Sequence, residues 1–219
     1  MPHAAARVVA LAALERAPLS RSHVAATLWP DLPAARAAAC LRAALSRLAG
    51  ACPALISTDP TAVGLAPDVT VDARELDQLT LSVIAGGAAC DIPPERLAIE
   101  LLPGWDDEWV AFERDRLRQL CLHALEALSA QQLEQRQFGS AIATAYAALR
   151  MDPLRESAAR TLVEIHLAEG NRAPAVRSYL EFRERSLAEL GIEPSAAMRA
   201  LVAPLVMSSG RARTGGAVS

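Results

Sequence analysis

Apolar residues recur at helical spacing from the start of the chain. Residues 4–16 place Val8, Leu11 and Leu14 near one face of a helix, and Pro18 prevents that helix from continuing because proline cannot donate the next hydrogen bond. The pattern therefore predicts a first helix that ends before the proline.

A second, shorter helix is predicted to begin at a serine. Ser20 or Ser22 can cap the free amides of a helix that reaches Leu28, and Pro30 ends it. Arg21 and Ser22 lie at its N-terminus, where a cation and backbone amides suit a phosphate. Simple capping by a serine explains the same residues equally well.

A third helix lies between Pro33 and Gly50 and has two very different faces. At 100° per residue, one sector holds the apolar residues Ala37, Leu41, Ala44, Leu45 and Leu48. The opposite sector holds Arg36, Cys40, Ala43, Ser46 and Arg47, with Arg42 at its edge. This helix is predicted to be cleanly amphipathic.

The pattern changes after the third helix. Residues 54–79 contain β-branched residues, and short apolar runs flank the turn sequence TDPT at 58–61. We predict a small β-hairpin, with Thr58 and Thr61 at its tip. Three helices followed by a hairpin is the order of a winged helix-turn-helix.

The second half of the chain is helical for nearly 100 residues. Acidic residues at 106–108 suit a solvated helix start, and the helix that follows carries a seam of Val110, Leu117, Leu120, Ala124 and Leu128. Shorter helices are predicted at 139–151, 154–169, 171–190 and 195–206. An offset of 34 aligns Ala124 with Ala158 and Ala141 with Ala175, which is the period of the tetratricopeptide repeat.

Breaker residues suggest where the chain divides. A Gly-Gly pair and a Pro-Pro pair fall between residues 80 and 100, and the tail from Ser208 has no apolar face. We therefore expect a DNA-binding domain over 1–80, a linker over 81–100, a helical domain over 101–207 and a disordered tail over 208–219. The predicted fold class is mainly α.

Composition narrows the classes of function. All 22 basic residues are arginine, the net charge is −3, and the first 80 residues hold seven arginines against seven acids, so binding of nucleic acid requires a local patch. No membrane-spanning run or signal segment appears, which favours a cytoplasmic protein. The four cysteines have no metal-ligand spacing. No catalytic motif is found, so neither an enzyme, a cofactor nor a metal is expected.

The polar face of the third helix could contact DNA. Arginine can bind phosphates or guanine edges, and alanine allows close contact with thymine methyl groups. An ordinary solvated helix face is the simpler interpretation of the residue types alone. The order of elements favours DNA binding, because a capped helix, a turn, an amphipathic helix and a hairpin together are more specific than any one part.

Several motifs in the second half resemble a known family. The segments LLPGW, DPLRES, LAEGN and ELGIEPS occur in the order found in the bacterial transcriptional activation domain (BTAD) of the Streptomyces antibiotic regulatory protein (SARP) family. Residues 7–79 resemble the winged helix of that family more loosely. Members usually begin with a small antiparallel sheet, whereas only MPHAA precedes the segment ARVVALAALER here, so we expect a truncated winged helix followed by a tetratricopeptide-like domain.

The resemblance implies a transcriptional activator that binds direct repeats near promoters. Its implied partners are double-stranded DNA, RNA polymerase and its sigma factor, and a second protomer on DNA, with no membrane. By position, the recognition helix falls on residues 36–48. The candidate DNA contacts are Arg36, Arg42, Ser46 and Arg47 on that helix, Arg21 and Ser22 on the helix before it, and Thr58 and Thr61 on the wing. The alternative is an adaptor of the same ancestry that binds a protein or small ligand through its helical domain.

Overall fold

The fold is mainly helical in this computed structural model, which describes residues 3–87 and 92–213 and, within the last helix, side chains up to residue 205. The first elements are α1 (His3–Leu14), β1 (Leu19–Ser20), α2 (Arg21–Leu28), α3 (Ala34–Ala51), β2 (Ile56–Thr58), β3 (Ala62–Leu65) and α4 (Asp72–Ile84). After a 3-10 turn at Pro94–Arg96 come α5 (Glu108–Glu134), α6 (Phe138–Met151), α7 (Glu156–Glu169), α8 (Arg172–Leu190) and α9 (Ala196–Arg213).

The chain divides into two compact units. The first is formed by Met1–Leu76 and Gly104–Glu113, and the second by Asp77–Pro103 and Arg114–Ser219. The domain limits at 80 and 100 stay predictions. The structure adds that residues 104–113, which the sequence places in the helical domain, pack within the first unit, where Trp109 contacts its hydrophobic core.

The first unit has the topology of a winged helix. Its three strands form an antiparallel sheet in the order β1-β3-β2, with Leu19 opposite Val63 and Ile56 opposite Leu65. The hairpin of β2 and β3 is the predicted wing. Strand β1 is a finding that the sequence pattern did not predict, because two residues are too few to show an alternation.

The predicted amphipathic face of α3 forms the centre of this unit. The five apolar residues of that face are all buried and join buried residues of α1, α2 and β3 in one core. Leu41 and Leu48 are among the largest fully buried side chains of the chain. Because these residues fix the rotation of α3 about its axis, they also determine which residues face outward.

Helix α4 was not predicted from the sequence. It begins at Asp72, whose Oδ1 accepts the amide of Ala73 (2.8 Å), and it carries acidic residues in its first turn. The sequence pattern did not reveal this helix because the β-branched residues that precede it indicated strand. Arg74 on its first turn donates to the carbonyls of Ala13 (2.8 Å), Ala12 (3.1 Å) and Glu15 at the end of α1.

In the second unit, α5 buries most of its predicted seam. Leu117, Ala124 and Leu128 are buried and Leu120 is half-buried. Ser129 on the same helix donates to the carbonyl of Ala141 on α6 (3.0 Å), which joins the two helices by a hydrogen bond as well as by packing. The second unit therefore has its own core.

Helices α6 to α9 pack in chain order, as the short predicted turns require. Gly170 and Gly191 end α7 and α8 with φ of 89° and 69°, a left-handed conformation that glycine adopts without strain. The four alanines aligned by the 34-residue offset are each 0% exposed, so they lie where helices touch: Ala124, Ala141, Ala158 and Ala175. The tetratricopeptide assignment stays an interpretation of this spacing.

The last helix is longer than predicted. The sequence places the start of a disordered tail at Ser208, but α9 continues to Arg213, so that prediction is wrong over 208–213. The rest of the predicted tail, 214–219, lies outside the described residues.

Replacement of Arg74 by alanine should destabilise the first unit. The change removes a charged donor from three carbonyls at the end of α1, where helix carbonyls lack partners within the helix. We expect a loss of about 2 kcal/mol in the free energy of unfolding, measured by urea titration. Arg74→Lys keeps the charge but not the planar fork and should restore part of the loss. A loss below about 0.5 kcal/mol, the level of ordinary surface changes, would contradict this role.

Candidate nucleic-acid interface

The outward face of α3 carries the predicted contact residues. Arg36, Arg42, Ser46 and Arg47 are all exposed. The side chains of the three arginines form no hydrogen bond or ion pair with another residue that the structure describes. An unpaired guanidinium has five donors available, in a fork that matches the oxygens of a phosphate or the acceptor pair of guanine.

The arginines lie along two edges of this face. On a helix with 3.6 residues per turn, Arg36 and Arg47 differ by about 20° in direction, whereas Arg42 is about 120° from Arg36. The surface between the two edges carries Ala39, Ala43 and Ser46, which are exposed. Short side chains there allow the helix backbone to approach a flat or grooved partner closely.

The start of α2 resolves the choice between its two serines. Ser20 caps the helix, because its Oγ accepts the amide of His23 (3.2 Å). Ser22 is exposed, and its Oγ lies 3.2 Å from that of Ser20. Ser20 therefore does the capping, and Ser22 keeps an exposed hydroxyl at the N-terminus of the helix.

Arg21 joins this helix start to the tip of the wing. Its backbone amide donates to the carbonyl of Thr61 (2.9 Å), and its side chain is half-buried. The Arg21 Nε is shielded from solvent and has no acceptor in the part of the chain that the structure describes. Arg21 and Thr61, which the sequence proposes as separate contacts, thus lie side by side.

The turn of the wing is organised by an acid that the sequence analysis did not select. Asp59 accepts hydrogen bonds from the Thr61 amide (2.6 Å), the Thr61 hydroxyl (2.7 Å) and the Ala62 amide (2.7 Å). Hydrogen bonds from Thr61 and Ala62, aided by the Arg21 charge, lower the pKa of Asp59. The tip therefore carries a negative charge, and the Thr61 hydroxyl is already engaged. Thr58 is exposed. Aspartate before Pro-Thr is a common turn signal that could have identified Asp59.

Some of these residues surround one cavity. A space of about 560 Å³ lies between α2, α3 and the wing turn, and Arg21, Ser22 and Arg42 line it. Arg36, Ser46, Arg47, Thr58 and Thr61 do not line this cavity. The structure thus groups two arginines and a serine from two of the three predicted contact regions, the start of α2 and the face of α3, and it leaves the rest of the α3 face outside that group.

The acidic segment at 106–108 differs from its predicted solvated state. Asp106 and Glu108 are exposed, but Asp107 is half-buried and forms an ion pair with Arg7 in the first unit. The backbone carbonyl of Asp107 also accepts the amide of Val110 (3.0 Å) at the start of α5. Asp107 therefore belongs to the packing of the first unit, which the charge pattern alone did not indicate.

Two side chains of the second unit, Cys121 and Glu126, have pKa values that the fold shifts. Burial, with the nearby Asp77 charge, raises the pKa of Cys121 to about 11, so its thiol stays protonated at neutral pH. Glu126 loses solvation by burial, but hydrogen bonds from Arg155 and Ser157 outweigh that loss and lower its pKa.

Within the described ranges, no three His, Cys, Asp or Glu side chains are arranged to hold a metal. None of the described helices is long and apolar enough to cross a bilayer.

Comparisons with known proteins agree with this architecture. Residues 98–205, about half of the chain, match the family model described as bacterial transcriptional activator domain. A solved structure, Mycobacterium tuberculosis EmbR in complex with a low affinity phosphopeptide, aligns with a TM-score of 0.66 and 20% sequence identity. The alignment covers 90% of this chain and 58% of EmbR. No curated protein sequence matches the chain.

The class follows from these observations. A winged helix-turn-helix unit and a helical activator domain together define the fold of a two-part bacterial transcription regulator. Residues 98–205 are a bacterial transcriptional activator domain, and the chain as a whole is similar to the SARP-type regulators, in agreement with the sequence resemblance.

Asp59→Asn should increase affinity for DNA without unfolding the wing. Asparagine keeps an acceptor for the turn but removes the charge, and we expect about two- to fivefold tighter binding to duplex DNA at low salt. Fluorescence anisotropy measures the affinity at pH 7. Unchanged or weaker binding would show that the charge of Asp59 does not oppose DNA.

The same carboxylate sets a pH dependence of the turn. The folded-state pKa lies below the ordinary value of 3.8, so the stabilisation is fully present above about pH 4 and is lost as the pH falls through the lowered pKa. The protection factors of the wing amides, which compare the observed exchange with the slower intrinsic exchange in acid, should fall as the pH is lowered from 6 to 3 in the wild type. In Asp59→Asn that fall in protection should be absent.

Proposed function

We propose that the chain is a sequence-specific DNA-binding transcriptional activator. The observation that carries the proposal is the outward face of α3, where three exposed arginines, whose side chains have no partner among the described residues, flank a surface of alanine and serine. In a winged helix the third helix enters the major groove, and these side chains suit guanine edges, thymine methyl groups and phosphates. The wing and the start of α2 then lie near the adjacent backbone.

Electrostatics limits the strength of this binding. Duplex DNA is bound largely through release of counterions, so affinity depends on how many phosphates the cationic side chains neutralise. The arginines of the interface are few, and Asp59 places a negative charge at the wing. We therefore propose that two protomers on direct repeats, together with RNA polymerase and its sigma factor, supply the affinity that one protomer lacks.

The first test removes two of the arginines together. Arg42→Ala combined with Arg47→Ala should weaken specific binding by about 30-fold or more, because each base or phosphate contact contributes about 1–3 kcal/mol. If both arginines contact phosphates, the dependence of log Kd on log salt should also become shallower by about 1.8, since each phosphate contributes about 0.9. Anisotropy titrations at several salt concentrations measure both quantities.

A matched control is available on α8. Arg172 and Arg177 are exposed arginines of the second unit, and the double change of both to alanine alters the net charge equally. This control should keep wild-type affinity for DNA. Unchanged affinity in the α3 double variant would reject these residues as contacts, and equal losses in both variants would indicate a nonspecific effect of net charge.

A second candidate function is an adaptor that binds through its helical domain. A cavity of about 420 Å³ in the second unit is lined by Tyr146, Phe182, Arg150 and Glu181, among others, and Tyr146 is 43% exposed. Such a surface suits a peptide with both apolar and charged residues. The adaptor predicts that the full chain shows no retention on genomic DNA even at low salt, an outcome that excludes the first proposal.

A further inference from the structure

The cavity between α2, α3 and the wing turn has the properties of a small-molecule site. Its volume of about 560 Å³ lies in the range of ligand pockets. Most of its wall is apolar, with the half-buried indole of Trp29 and the side chains of Leu32 and Leu41. Arg21 and Arg42 contribute the charged groups, and both are cationic.

The two arginines give the lining of this cavity a net positive charge. No acidic side chain lines it, and Arg42 has no ion-pair or hydrogen-bond partner within the described part of the chain. The Nε of Arg21 is withdrawn from solvent and also lacks an acceptor there. The Asp59 charge acts on Arg21, but the Asp59 carboxylate is already occupied by hydrogen bonds from the wing turn.

We propose that this cavity binds a small apolar carboxylic acid in its ionised form. The carboxylate lies towards Arg21 and Arg42, because a guanidinium binds a carboxylate with two parallel hydrogen bonds. The apolar body of the acid covers Trp29 and Leu32. An ammonium or neutral ligand of the same shape lacks this pairing.

Occupation of the cavity regulates DNA binding, and this consequence rests on the function proposed above. Arg21, Ser22 and Arg42 are both cavity residues and candidate DNA contacts. A bound carboxylate engages both arginines and offsets one of their two positive charges, so acid and DNA compete for the same groups. By linkage, the acid weakens DNA binding by the same factor by which DNA weakens binding of the acid.

Binding of decanoate to the purified full-length chain tests the site without DNA. Decanol is the neutral probe of equal chain length, and isothermal titration calorimetry measures both. We expect decanoate to bind at least tenfold more tightly than decanol. Arg42→Gln should weaken decanoate at least fivefold and leave decanol unchanged, whereas Arg177→Gln, the same change on α8, should alter neither.

A second variant tests the apolar part of the cavity. Ala38 lines the cavity on α3 and is half-buried, so Ala38→Leu should fill part of the space and weaken both probes. Circular dichroism confirms that the variants are folded. Equal affinities for decanoate and decanol, or wild-type affinity of Arg42→Gln for decanoate, would overturn the site and indicate adventitious binding of an amphiphile.

The DNA arm separates failure of the site from failure of the proposed function. If the cavity binds the acid and the chain binds DNA as proposed, saturating decanoate raises the Kd for DNA at least fivefold, and decanol does not. Decanoate binding by a wild-type protein that never binds DNA would reject the activator and keep the site. Normal DNA binding without decanoate binding would reject the site alone, and decanoate binding with unchanged DNA affinity would reject the competition.

Discussion

The burial of one face of α3 is the constraint on which the interface depends. Ala37, Leu41, Ala44, Leu45 and Leu48 are all buried in the core of the first unit. Rotation of the helix would expose leucines to water and bury arginines without partners, both of which cost free energy. The arginines and small residues opposite are therefore held outward in a defined direction. Packing thus fixes the direction of the face that the proposed function assigns to DNA.

Charge within the first unit is distributed locally. The chain has a net charge of −3, yet the outward face of α3 is cationic and the wing turn is anionic through Asp59. Local groups dominate because salt screens exposed charges beyond about 10 Å at ordinary ionic strength. In the proposed function this contrast makes α3, and not the wing, the main source of affinity for the backbone.

Elements whose periodic spacing extends over many residues could be predicted from the sequence. The apolar spacing of α3, the four shorter helices of the second half and the 34-residue offset involve many residues, so the period could be recognised. Strand β1 has only two residues, and α4 follows a β-branched run that hid it. The wing position was predicted from its turn sequence, but the role of Asp59 as acceptor of three hydrogen bonds was not, because it depends on the conformation of that turn.

Contacts between distant residues were the least predictable. The pairing of Asp107 with Arg7, the packing of residues 104–113 with the first unit and the grouping of Arg21 with Arg42 around one cavity all join residues far apart in sequence. A single sequence shows spacing along the chain but not which distant segments meet. The candidate contacts on α3 could be chosen by helical geometry, whereas the shared use of Arg21 and Arg42 required coordinates.

The most direct test of the central claim is selection of fragments from the encoding genome by the purified full-length protein, sequenced after washing at two salt concentrations. We expect enrichment of a repeated motif in a head-to-tail arrangement, with recovery that falls as salt increases. Enrichment of no motif at either salt concentration would contradict the claim that α3 reads DNA sequence and would direct attention to a protein partner of the helical domain.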